Sequence, residues 1–238
     1  MGLAKRIIPV ILTKGELLVK GKQFACDRIV GNALQAAKIH ALRGVDELMI
    51  LDVTATKEGR EPNYGLVRKL AAKCFSPLTV GGGVSKSEHV RGLLNAGADK
   101  VCIKSAYCKN IEIIKELSNK YGSQCITVAI DYLSNDKGII PEYAKVLENH
   151  GAGEILLQAM DKDGTMEGFD LEAISEVSKA VSVPVIASGG CSEAEDAYQA
   201  IQAGADAVAI GALFQYTEET PATMAHYLGS KGVEVRID

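Results

Sequence analysis

The sequence predicts a (β/α)₈ barrel on three observations. Eight short aliphatic runs alternate with eight longer amphipathic stretches, one constant offset relates the two halves, and 238 residues approach the roughly 250 that such barrels occupy. Strands are expected at 6–12, 47–53, 77–81, 100–104, 124–131, 153–159, 183–188 and 207–211, each a β-branched or aliphatic run of strand length. Helices are expected at 30–43, 63–74, 86–96, 110–120, 141–150, 170–180, 193–203 and 219–229, where apolar residues recur at helical spacing. A doubly wound open sheet would share that alternation. The offset favours the barrel: Ala96-Gly97-Ala98-Asp99 recurs 107 residues later as Ala203-Gly204-Ala205-Asp206, and the same shift carries Gly82-Gly83 onto Gly189-Gly190, Pro77 onto Pro184 and Glu47 onto Glu154. No linker or composition shift separates the halves, so residues 1–238 are expected to form one domain.

Composition narrows the partners. A formal net charge of −4 and a pI near 5.7 argue against a nucleic-acid or acidic-membrane binder that works by broad electrostatic attraction. No apolar run reaches the 18 or so residues of a membrane helix, and the start of the chain lacks a secretory pattern, so a cytoplasmic protein is expected. The six cysteines (Cys26, Cys74, Cys102, Cys108, Cys125, Cys191) form no CxxC pair and read as reduced packing residues, with no metal site expected. The four histidines (His40, His89, His150, His226) lie far apart in helical patterns, which suggests surface or helix-end packing.

In a barrel the chemistry gathers at the C-terminal strand ends. Gly81-Gly82-Gly83 follows the third predicted strand and Ser188-Gly189-Gly190 the seventh, with Ser105 and Gly211 after the fourth and eighth. Backbone N–H groups in such turns approach an anion closely. Two half-sites related by the repeat predict a ligand with a phosphate at each end, bound by Gly82, Gly83, Ser105, Ser188, Gly189, Gly190 and Gly211.

Lys5-Arg6-Ile7-Ile8-Pro9, Asp46-Glu47-Leu48-Met49-Ile50-Leu51-Asp52-Val53-Thr54-Ala55, Val80-Gly81-Gly82-Gly83, Ala129-Ile130-Asp131, Gly151-Ala152-Gly153-Glu154-Ile155-Leu156-Leu157, Asp161-Lys162-Asp163-Gly164-Thr165 and Ile186-Ala187-Ser188-Gly189-Gly190 run in order along nearly the whole chain. They resemble the HisF-type cyclase subunit of imidazole glycerol phosphate synthase. The resemblance implies a barrel that docks a HisH-type glutaminase, receives ammonia through its centre and uses it to cleave and cyclise a phosphoribosyl intermediate of histidine biosynthesis, without a cofactor. It implies an ammonia gate of four charged residues at the bottom, matched here by Arg6, Glu47, Lys100 and Glu154, and a glutaminase-docking residue, matched by Asp99. Charges that face inward at strand starts are costly unless they neutralise one another, and this set is balanced.

The upper face departs from that pattern. The resemblance implies two catalytic aspartates, ending the first and fifth strands; Asp131 matches one, and Leu12 stands where the other would be. Leucine neither gives nor takes a proton, and losing one partner of an acid/base pair is worth roughly 10²- to 10⁴-fold in rate. Lys104, Gln158 and Ala212 replace an expected asparagine, threonine and serine, and the segment 132–140 is too short for the family's β-hairpin. Lys20 matches a catalytic lysine of the mobile loop after the first strand. The sequence therefore predicts an ammonia-receiving barrel that serves a different acceptor, a phosphorylated or nucleotide-linked sugar of surface-polysaccharide biosynthesis, with a third sugar-modifying enzyme as a candidate partner. The alternative is a working cyclase in which Asp131 acts alone or Asp52 or Asp163 substitutes. The related two-halved isomerase and a non-catalytic phosphosugar-binding subunit are further readings.

Overall fold

A computed structural model describes residues 4–23, 25, 28–135 and 137–237. Eight parallel strands close into the expected barrel: β1 (Arg6–Lys14), β4 (Leu48–Asp52), β5 (Leu78–Gly81), β6 (Lys100–Ile103), β7 (Ile126–Tyr132), β8 (Glu154–Ala159), β9 (Val185–Ser188) and β10 (Ala207–Ile210), with β10 returning to pair with β1. Two more strands, β2 (Leu17–Lys20) and β3 (Arg28–Asn32), continue antiparallel from β1 as a hairpin at the barrel's upper rim.

Helices cover the outside: α1 (Ala33–Ala41), α2 (Tyr64–Ala71), α3 (Ser87–Asn95), α4 (Ser105–Lys109), α5 (Glu112–Tyr121), α6 (Ile140–Asn149), α7 (Leu171–Ala180), α8 (Ala194–Gln202), α9 (Leu213–Tyr216) and α10 (Pro221–Ser230). Three sequence expectations need correction. The helix expected from residue 30 starts at Ala33, because residues 28–32 extend the hairpin and the Asn32 carboxamide caps the helix by accepting the amides of Leu34 and Gln35. The helix expected over 110–120 is preceded by the separate α4, with Asn110 at the break accepting the amide of Glu112. Short α9 follows the eighth barrel strand before the last helix.

The two-residue period of the strands sorts side chains into two cores. Ile7 and Ile11 of β1 pack outward beneath the helices with Leu48, Val101, Val128 and Ile155. Ile8, Val10 and Leu12 point into the barrel, where Met49, Cys102, Ala129, Leu156, Ile186, Ala207 and Ala209 fill the centre.

The 107-residue offset holds in contacts as well as letters. Asp99 accepts the amide of Leu78 at 2.8 Å, and its counterpart Asp206 accepts that of Val185 at 3.1 Å. A Cβ on Gly82 would lie 2.3 Å from the carbonyl oxygen of Asp52, and one on Gly189 would lie 2.5 Å from that of Ala159, again 107 residues on. His89 accepts the amide of Ser85 at 3.2 Å while its counterpart Asp196 accepts that of Ser192 at 2.8 Å. No helix among the described residues is long and apolar enough to cross a membrane.

Candidate active site

The lower layer of the barrel holds the four charged residues together. Arg6 donates to Glu47 at 2.7 Å and reaches Glu154 at 2.8 Å; Lys100 contacts Glu47 at 3.0 Å and Glu154 at 2.9 Å. Cation and anion alternate around a closed cycle. Thr79 and Thr127 donate their hydroxyls to Glu47 and Glu154, so the buried carboxylates have neutral donors as well. Burial opposes the charge on Arg6, but Glu154 and Glu47 outweigh it and hold the guanidinium above its ordinary value. Above the cycle the interior is apolar up to Leu12, which is buried.

Asp99 lies exposed on the same lower face, next to Lys100. Its carboxylate also anchors the start of β5, and the same bond recurs at Asp206 in the second half. That repetition gives Asp99 a structural task of its own.

At the upper face Asp131, one residue before the end of β7, turns its side chain inward, one oxygen bonded to the ammonium of Lys104 and the other buried without a partner among the described residues. Burial pushes its pKa above the usual carboxylate range, while Lys104 pulls it down. A cavity of about 250 Å³ opens beside this pair, lined among others by Asp52, Gly82, Gly83, Ser105 and Gln158. Asp52 is committed to its own loop: one oxygen accepts the amides of Thr54 and Ala55, and Arg60 lies 3.3 Å from the other. Asp163 lies across the barrel in a second cavity of about 20 Å³ with Leu12, Lys20, Ser188, Gly189, Gly190 and Gly211. The glycine half-sites thus face the barrel mouth from two sides.

The segment after β7 forms a turn and one 3₁₀ turn before α6, without a hairpin among its described residues. Cys74, Cys102 and Cys191 are buried, and burial, the largest influence on each, raises all three thiols, Cys102 to about 12; this suits packing. Cys26 lies outside the described residues. His40 and His89 are buried near the ends of α1 and α3, in keeping with helix-end packing. Sequence reading named Lys104 as a departure but missed its bond to Asp131, since the pairing of neighbouring strands β6 and β7 sets that reach. The Arg60–Asp52 clamp was likewise missed, and the nearest signal was eight-residue spacing in a glycine-containing loop.

A closed barrel with inward charges below and two glycine cups above belongs to the class of (β/α)₈ proteins that work at the C-terminal strand ends. The family described as "Histidine biosynthesis protein" matches residues 6–221. Among curated proteins, imidazole glycerol phosphate synthase subunit HisF of Wolinella succinogenes is 43% identical, covering 99% of each chain, and that of Dictyoglomus thermophilum is 41% identical, covering 99% of this chain and all of its own. The HisF subunit of Dictyoglomus turgidum is 39% identical over the same share. This chain belongs to that histidine-biosynthesis family, with HisF subunits as its near relatives. The alignments run to 251 positions against 238 residues here, so these relatives carry residues that this chain lacks.

Proposed function

We propose that this chain is the ammonia-using barrel of a glutamine-dependent synthase, with a glutaminase docked on its lower face. The closed Arg6–Glu47–Lys100–Glu154 cycle beneath an apolar interior carries the reading. A structural brace is a poor explanation for such a cycle, because buried ion pairs seldom repay their desolvation. An apolar core above it favours neutral ammonia over ammonium, whose burial without a counter-charge is expensive. Asp99 is the candidate docking carboxylate beside the cycle, and the two glycine cups would hold the phosphates of the acceptor over Asp131. Mixing the chain with the glutaminase of its own organism tests this: complex formation and faster glutamine hydrolysis are expected, and the absence of both would overturn it.

The relatives are named as subunits of imidazole glycerol phosphate synthase, which favours the histidine-pathway acceptor. In that reading Asp131 moves the proton at the reacting centre, its partnerless oxygen facing the substrate and its other oxygen steadied by Lys104. A specific observation favours a second acceptor. Leu12 closes the interior where the family's acid would stand, and Asp52 is occupied by Arg60. That reading gives the ammonia to a phosphorylated or nucleotide-linked sugar for surface polysaccharide, with a third enzyme completing the site. Growth of a cyclase-deficient strain without histidine separates them. Rescue selects the first acceptor, and failure to rescue with intact glutaminase stimulation selects the second.

A further inference from the structure

Most glycines of the two cups have a backbone reason to be glycine: Gly82, Gly83, Gly189 and Gly190 all have φ between 71° and 104°. Gly211, after β10, does not, for its φ lies outside the left-handed region. A Cβ there would meet backbone only at an ordinary 3.5 Å, from the carbonyl oxygen of Val10, yet it would lie 2.2 Å from Nζ of Lys20. Among the described residues, one flexible side chain is therefore the only thing an alanine would collide with.

Lys20 comes from the end of β2 and is 2% exposed. The chain after it docks across the barrel mouth: Gln23 donates its amide to the carbonyl of Asp163 at 2.8 Å, and a Cβ on Gly164 would lie 2.5 Å from the carbonyl oxygen of Gly21. The hairpin thereby delivers the Lys20 ammonium into the small cavity shared by Ser188, Gly189, Gly190 and Gly211.

We propose that Gly211 is the positioning residue for Lys20: its missing side chain lets the ammonium reach the β9–β10 cup, where it flanks a phosphate monoester. The proposal rests on the phosphate reading of the cups and adds a buried cation to the β9–β10 one. Lys20 then acts as a charge-assisted donor to the anion.

Inorganic phosphate titrated into the full chain, followed by the amide signals of Gly190 and Gly83, tests it cup by cup. Lys20→Met and Gly211→Ala are each expected to weaken binding at Gly190 by roughly ten- to a hundredfold, the worth of a hydrogen bond to a charged group. Binding at Gly83 should stay unchanged. The double variant should bind no more weakly than Lys20→Met alone, because the methyl acts only by displacing the ammonium. Gly211→Ala should keep the wild-type Tm, which excludes a folding defect. Wild-type affinity in Gly211→Ala, additive losses, or equal losses at both cups would overturn the positioning role. No phosphate binding by the wild-type chain would instead overturn the phosphate reading itself.

Discussion

Replacing Lys100 by methionine tests whether the lower cycle is a coupled unit. In the wild type, two cations and two carboxylates cancel; Lys100→Met leaves Glu47 and Glu154 sharing Arg6 alone. The change removes contacts of 3.0 Å to one carboxylate and 2.9 Å to each oxygen of the other. Breaking a fully buried pair costs about 3–5 kcal/mol. The Lys100 side chain is 19% exposed, so solvent takes up part of the loss and about 2–3 kcal/mol is expected. In a chain of this size that lowers Tm by roughly 5–10 °C. Adding Glu154→Gln restores neutrality and should recover at least about 1 kcal/mol despite deleting a second charge. Urea unfolding of the three proteins measures this. A Lys100→Met chain within about 0.5 kcal/mol of wild type, or a double variant with no recovery, would refute the coupled cycle.

His40 predicts acid sensitivity. Burial first, then the charges of Arg43 and Lys20, lower its pKa from 6.5 to about 4, so the stability it contributes is complete above pH 6.5 and is lost as pH falls through 4. Wild type should lose about 2.5 kcal/mol more than His40→Leu between pH 7 and 4.5, as read by urea midpoints. Lys104→Asn removes the one influence holding Asp131 down against burial, so the Asp131 carboxyl should titrate at higher pH, visible in its infrared band. Leu12→Asp places a carboxylate among Ile8, Val10, Val19 and Met49; a stability loss of about 3 kcal/mol is expected by denaturant melt, with little gain of cyclase activity because Lys104 still occupies Asp131. Gly82→Ala meets both a φ of 104° and the Asp52 carbonyl, so its unfolding midpoint should show about 2–4 kcal/mol lost, in contrast to the silent Gly211→Ala.

What the sequence disclosed is what repeats or alternates. The 107-residue offset was readable as letters, and it reappears as paired hydrogen bonds because each half solves the same packing problem with the same residues. The charged cycle was readable because Arg6, Lys100 and Glu154 open strands whose next inward residues are apolar. The hairpin was not, because Arg28–Gly31 are exposed and so carry no buried-strand pattern, while Leu17 to Lys20 alone are too short to announce a strand. The reach of Lys20 over Gly211 was equally hidden. It spans 191 positions in the chain and depends on how the hairpin docks, and neither residue signals the other.

The strand period also explains why the two ends of this barrel can change independently. Arg6, Ile8, Val10 and Leu12 lie on one face of β1, and Lys100, Cys102 and Lys104 mark the same rhythm on β6 and the residue beyond it. Lys100 and Lys104 are four residues apart, about 13 Å along an extended chain, with the Cys102 layer between them. At that separation, substitutions that share no partner act additively. Glu47 and Glu154 belong to the lower cation and Asp131 to the upper one, so among the described residues no side chain bonds to both. Leu12 extends the apolar layer upward by one step and leaves the cycle untouched, whereas a polar residue at Cys102 or Leu156 would join the two ends electrostatically. A barrel can therefore keep its lower charges while its upper chemistry drifts, provided the layer between them stays apolar.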